Sequence, residues 1–274
     1  MLSKHSLNFL TKKNKSKYNK FMKSPNKRDF INLIKQGVLP RPHYALGALF
    51  AAHQATFFGY KKFTLIEFGC WNNEGLIDLD HWCSIIKKLY NIDYQIYGFD
   101  SGKGLPESNH NKDVKYKWSS NDFAVNKFYS IKKLNNVKLI VGNVKNTIND
   151  FIKKNFSQEP IGFISFDMDY FTSTSQSFKI FKSQQKNFIP RPILYFDDFI
   201  LTSEFEGEYL AINNFNSKNK NNKISSIGEL AEQMSIYWNK WIFLAKRLKI
   251  FTNFKHKLYL KRYENLIYKE IISK

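Results

Sequence analysis

The run Ile161-Gly162-Phe163-Ile164-Ser165-Phe166 is apolar without polar alternation and stops abruptly at Asp167-Met168-Asp169, ahead of Tyr170-Phe171-Thr172-Ser173-Thr174. A strand-length stretch with no polar face must be covered on both sides, as a strand is inside a parallel sheet sandwiched by helices. Ligands of open α/β sheets bind beyond the carboxyl ends of the strands, so Asp167 and Asp169 stand where a site is expected. A second run, Pro192-Ile193-Leu194-Tyr195-Phe196, meets Asp197-Asp198 in the same way. Neighbouring strands would bring these four carboxylates to one edge, and such crowding calls for a cation or a proton among them.

The same grammar recurs upstream. Residues 63–69 read as a first strand ending at Gly69, and Cys70-Trp71-Asn72-Asn73-Glu74-Gly75 as a turn. The helix that follows over 76–86 sets Leu76, Leu79, Cys83 and Ile86 on one face. Residues 94–99 form a second strand that ends at Asp100, an acid placed to accept hydrogen bonds from a ribose diol. Ser101-Gly102-Lys103-Gly104-Leu105-Pro106 must then be a tight loop. A third strand over 137–141 ends in Gly142-Asn143, with a helix over 144–156 whose apolar face is Val144, Ile148, Phe151 and Ile152.

Further helical stretches are expected over 43–58, where Leu39-Pro40-Arg41-Pro42 blocks an earlier start, and over 121–133, 171–187 and 207–215. Residues 217–223 are almost wholly polar and read as an exposed loop, while 238–245 and 257–260 are candidates for the last strands. Strand and helix alternate as in a doubly wound, mostly parallel α/β sheet of Rossmann-like form.

At 274 residues the chain can bury one full core, and 43% hydrophobic content argues against disorder. No apolar run is long enough to span a membrane, and the start lacks the apolar core of an export signal, so a cytoplasmic location is the expectation. Cys70 and Cys83 form no paired metal-binding pattern and read as reduced and structural. The net charge of +20 invites a nucleic-acid reading. Lysine is abundant throughout and concentrated toward the ends rather than around the carboxylates, so a solvated basic surface is the preferred reading. Residues 1–28 are read as a basic arm outside the core, a floppy or weakly helical extension with at most a loose contact to anionic lipid or polymer. Residues 29–274 then make a single domain, with the core over about 41–216 and the last strands and an extension over 217–274.

Several signals in fixed order carry a resemblance. They are Glu67-Phe68-Gly69 with Gly75-Leu76, Gly98-Phe99-Asp100-Ser101 with Gly104-Leu105-Pro106, Asp167-Met168-Asp169-Tyr170 with Ser173-Thr174, Asp197-Asp198, and Gly207-Glu208 with Ala211. Together they resemble class I S-adenosylmethionine-dependent methyltransferases, in the branch around macrocin O-methyltransferase. The resemblance implies that Glu67, Gly69 and Gly75 frame the methionine and ribose side of S-adenosylmethionine, that Asp100 and Ser101 lie at the ribose, and that Gly142, Asn143 and Val144 lie near the adenine. It implies Asp167, Asp197 and Asp198 as ligands of a divalent metal, and Asp169, a base candidate, with Asp167 as the catalytic residues. Magnesium suits an all-carboxylate set better than zinc, since no cysteine or histidine accompanies the aspartates.

The implied acceptor is a hydroxyl of a sugar, a glycan or another small molecule, with a homo-oligomer left open. A nucleic-acid methyltransferase is disfavoured, because the acidic edge repels phosphates and no Pro-Pro-Tyr type tetrad follows strand four. A fold-retaining binding protein without catalysis is the third reading, supported by the turn Trp71-Asn72-Asn73-Glu74, where the family commonly has small residues.

Overall fold

The computed structural model describes residues 2–125, 131–154, 159–183, 185–199, 201, 203–220, 222–226 and 248–253. The strands are β1 (Lys62–Phe68), β2 (Asp93–Asp100), β3 (Val137–Val141), β4 (Ile161–Phe166), β5 (Phe188–Phe196), β6 (Asn222–Ser226) and β7 (Leu248–Asn253). They form one sheet in the order β3-β2-β1-β4-β5-β7-β6. The first five run parallel, and β7 lies antiparallel between β5 and β6. The order reverses direction at β1 and β4, which makes this the expected doubly wound, mostly parallel sheet of Rossmann-like form.

Successive side chains of the central strands point to opposite faces, and both faces are covered. Leu65 and Phe163 join one apolar cluster with Trp82 and Leu79, whereas Ile66, Phe68, Ile164 and Phe166 join another with Ile148, Phe178 and Ile212. The first face carries α4 (Pro42–Phe57) and α5 (Glu74–Tyr90). Ala45, Ala48, Ala51, Ala52 and Ala55 of α4 are wholly buried, so this helix is apolar around its circumference. Its small residues permit close approach to the sheet, for a Cβ at Gly47 would stand 2.2 Å from the Phe163 ring. The second face carries α6 (Val144–Lys154), α7 (Phe171–Ser177) and α8 (Gly207–Lys218).

Four sequence expectations need correction. The N-terminal segment is core, not a loose arm: it folds into α1 (Lys4–Phe9), α2 (Lys12–Lys23) and α3 (Lys27–Lys35), and Leu2, Tyr18 and Phe21 are buried against the domain. Tyr18 meets the His81 ring nitrogen Nε2 at 2.8 Å and the Trp82 ring edge-on, while Phe21 stacks on Phe30. A mean composition dominated by lysine concealed these anchors. Next, the expected helix over 121–133 is absent from its described part, where 121–125 and 131–134 form turns and irregular chain. Asn121 and Phe123 both take positive φ there, which an α-helix cannot hold. Finally, the helix over 171–187 ends at Ser177 and continues only as 3-10 turns, and the loop over 217–223 gives way to β6 at Asn222. The expected strands at 238–245 and 257–260 lie outside the described residues.

Candidate functional site

A cleft of about 950 Å³ opens along the carboxyl edge of the sheet. Gly69, Asp100, Ser101 and the stretch Gly142, Asn143 and Val144 line one end, and Asp167, Asp169, Asp197 and Asp198 the other. The ends of β1, β2, β3, β4 and β5 thus all deliver residues to one space. Glu67 and Gly75 do not line it. They pack on each other behind the turn, where a Cβ at Gly75 would meet Glu67 Oε1 at 2.0 Å.

The turn after β1 closes through backbone that most residues avoid. Gly69 has φ +81, and a Cβ on it would reach within 1.8 Å of the Asp167 carbonyl oxygen. Trp71 and Asn73 also take left-handed angles, with φ 44 and 72. The turn is therefore made with no glycine between Gly69 and Gly75, and it leaves Trp71 51% exposed in the cleft, its ring edge-on to Phe123. Asp100 holds this turn in place: Cys70 N and Trp71 N each donate to its Oδ2 at 2.8 Å, and Gly102 N donates to Oδ1 at 2.6 Å. A carboxylate accepts about four hydrogen bonds, so Asp100 retains room for one more donor facing the cleft.

The acidic end is crowded. Carboxylate oxygens of Asp167, Asp169 and Asp198 lie within 4.8 Å of one another. Asp169, held at φ 55 and buried, has its carboxyl pushed up to about 8 by burial first and by the adjacent Asp198, to which it is hydrogen-bonded. Asp198 is raised too, again mainly by burial. Asp167 opens to solvent at the cleft surface while protein surrounds it on the other sides; its carboxyl is raised by burial and by Asp197, Asp169 and Asp198. Asp197 is not one of the trio and accepts the Tyr195 hydroxyl at 2.5 Å, though its charge bears on Asp167.

Two members of this end had been given no site role from the sequence. Glu208, fully buried in the first turn of α8, accepts from Asp198 N at 3.0 Å and from Met168 N at 3.4 Å, tying the loops after β4 and β5 together. Its carboxyl is raised well above normal by burial and then by Asp198. Its sequence signal was the Gly207-Glu208 pair that opens the helix, which carried the resemblance without a role in the site. Lys117 Nζ stands 3.5 Å from Asp198 Oδ1. It sits in an irregular segment where periodicity says nothing.

Behind the cleft, Glu67 is buried and accepts a short hydrogen bond from the Tyr44 hydroxyl, while its Oε2 has no hydrogen-bond partner. Burial lifts its carboxyl to about 7. Arg41, at φ 44 where α4 begins, donates from Nε to Asp78 Oδ2 at 3.1 Å.

No family model matches the chain, and no curated protein matches it. Among solved structures it is similar to the calicheamicin methyltransferase CalS11, with 18% identity, 74% of this chain and 82% of that one covered, and a TM-score of 0.48. It is similar to the O-methyltransferase NovP, with 14% identity, coverages of 69% and 80%, and a TM-score of 0.47. The plantazolicin methyltransferase BpumL in complex with a desmethylPZN analog and SAH follows at 12% identity, coverages of 88% and 97%, and a TM-score of 0.33. No described helix is long and apolar enough to cross a membrane.

Proposed function

We propose that the chain is an S-adenosylmethionine-dependent O-methyltransferase acting on a hydroxyl of a sugar or other small molecule. The observation that carries this reading is the single cleft that joins a glycine turn braced by Asp100 to a cluster of raised carboxyls. Its volume suits a nucleoside-sized ligand. Gly69 lacks the Cβ that would close the turn, and Asp100 keeps one acceptor position, so the residues present fit the cofactor. When bound, the sulfonium supplies an electrophilic methyl group and leaves as a neutral thioether.

The protein's own contribution is position, proton handling and exclusion of water. Trp71, Phe123 and Leu201 wall the cleft with apolar surface, which lowers the local dielectric around the reacting oxygen. Holding the acceptor hydroxyl in line accounts for several kcal/mol of barrier, on the order of 7 or more in well-oriented systems. Asp169 is the proposed acceptor of the hydroxyl proton, and with Asp167 makes the catalytic pair; its raised pKa makes it a stronger base than an ordinary aspartate once ionised.

A hard divalent cation such as magnesium fits the all-oxygen trio of Asp167, Asp169 and Asp198, with Asp197 beside it. There it would keep the carboxyls ionised and lower the pKa of a nearby hydroxyl, so that the cation, and no longer a raised Asp169, would favour loss of the hydroxyl proton. Calorimetry with S-adenosylhomocysteine, followed by methyl transfer to a panel of sugar and phenolic hydroxyls with and without chelator, tests the reading. Absence of binding refutes it; binding without transfer to any hydroxyl leaves a cofactor-binding protein that does not catalyse.

A further inference from the structure

Helix α2 presents a basic face that the cleft does not use. Lys12, Lys13, Lys15, Lys20 and Lys23 are all exposed, and none makes an ion pair among the described residues. Lys12, Lys15, Ser16, Asn19, Lys20 and Lys23 recur every three to four residues and line one shallow depression of about 490 Å³ on the outer side of the helix. The first acidic residue in the chain is Asp29.

This arrangement works against the helix that carries it. The first turn of α2 has no acid and begins with Lys12 and Lys13, positive charge where the helix dipole is already positive. Lys12 and Lys15, Lys13 and Lys17, and Lys20 and Lys23 are like-charged neighbours at helical spacing. The helix persists because its other face is pinned: Tyr18 bonds to His81 and packs edge-on to Trp82, and Phe21 stacks on Phe30. The lysines are thus fixed in one plane, repelling one another, on an element whose apolar side is already buried.

From this we infer that the outer face of α2 adsorbs to an anionic lipid surface. The apolar side chains are committed to the core, so the contact is electrostatic and peripheral, with no insertion. The row carries lysine and no arginine, point charges suited to a plane of phosphate headgroups rather than to bidentate recognition. It carries no aromatic side chain on which a nucleic-acid base could stack.

The test uses the full chain in a sedimentation assay with phosphatidylcholine vesicles containing about a third phosphatidylglycerol, against phosphatidylcholine alone. Binding to the anionic vesicles only is expected. It should fall on the order of 600-fold in the quadruple variant Lys12→Gln, Lys15→Gln, Lys20→Gln, Lys23→Gln, since each lysine near such a surface contributes about fivefold. The double variant Lys20→Gln, Lys23→Gln, with an unchanged circular dichroism spectrum, should show an intermediate loss, and the parent should detach at high salt. Equal binding of parent and variants, binding to neutral vesicles, or no binding at all overturns the inference. So does tighter binding to duplex RNA or DNA than to vesicles at equal phosphate concentration, which would assign the face to nucleic acid.

Discussion

Replacing Asp78 with Ala should detach the N-terminal segment from the domain. The Asp78 carboxylate is wholly buried and accepts from Ser3 N at 2.7 Å, Ser3 Oγ at 3.2 Å, Ser6 Oγ at 2.5 Å and Arg41 Nε at 3.1 Å. Hydrogen bonds to a charged group contribute about 1.5–3 kcal/mol each, but four donors sharing one acceptor do not add. Removing one partner of a buried ion pair costs about 3–5 kcal/mol. The Arg41 side chain is 30% exposed and can recover some hydration, so the low end applies, about 3 kcal/mol. For a domain of this size that corresponds to a fall in Tm of roughly 6–12 °C. Thermal and urea unfolding should show it, with Asp78→Asn losing about half as much because the amide oxygen still accepts. Trypsin should also cut the variant faster within the lysine-rich α2. A variant that melts within about 1 °C of the parent and resists trypsin equally would refute the docked arrangement.

Deleting residues 1–28 should cost more than Asp78→Ala, since it also uncovers Phe30, His81 and Trp82; unfolding curves check this. Gly69→Ala should abolish S-adenosylhomocysteine binding, because the new methyl meets the Asp167 carbonyl at 1.8 Å. Gly59→Ala, at a similar φ of +79 with nothing within 4 Å, should cost only about 1 kcal/mol and leave binding intact. Asp100→Ala should weaken that binding by more than tenfold in calorimetry and lower Tm as well, for it removes the acceptor of three backbone amides. Stability of the cation-free protein should fall as pH rises from about 6.5 to about 8. Asp169 and Glu67 hold protons in the folded state to about 8 and about 7 that the unfolded chain has already released. His81, lowered to about 3 by burial, acts in the opposite sense, and its contribution is lost as pH falls below about 6.5. A divalent cation at pH 8 should restore the loss, and a Tm that climbs through that interval without cation contradicts the raised carboxyls.

The five parallel strands were legible because burial on both faces leaves an unmistakable mark, a short apolar run that ends in glycine or acid. Asp100, Asp167, Asp169, Asp197 and Asp198 followed from those run ends, and the structure brings all of them to one cleft. What sequence could not show was side-chain direction. Asp169 rather than Asp197 completes the close trio, because a left-handed turn at Asp169 aims it inward while Tyr195 captures Asp197. Glu67, expected at the cofactor, does not line the cleft and is bonded to Tyr44 of α4, the helix that precedes its strand. The docked N-terminus was hidden for a related reason: two aromatic anchors on a lysine-rich helix barely alter its average polarity, yet they decide where it goes.

The final ring of each central strand sits directly beneath this edge. Phe99, Phe68, Phe166 and Phe196 are register partners on β2, β1, β4 and β5, and they stack in sequence with centroids 4.8, 5.3 and 4.6 Å apart. Each immediately precedes Asp100, Gly69, Asp167 or Asp197. The rings act as a ruler that fixes the spacing of the four strand ends from below, whatever the loops above them do. A change in one ring should therefore be felt by its neighbour's acid, so that damage in the ladder combines non-additively. Loops such as the one bearing Trp71 and Phe123 can meanwhile be rebuilt around a different acceptor without disturbing that ruler.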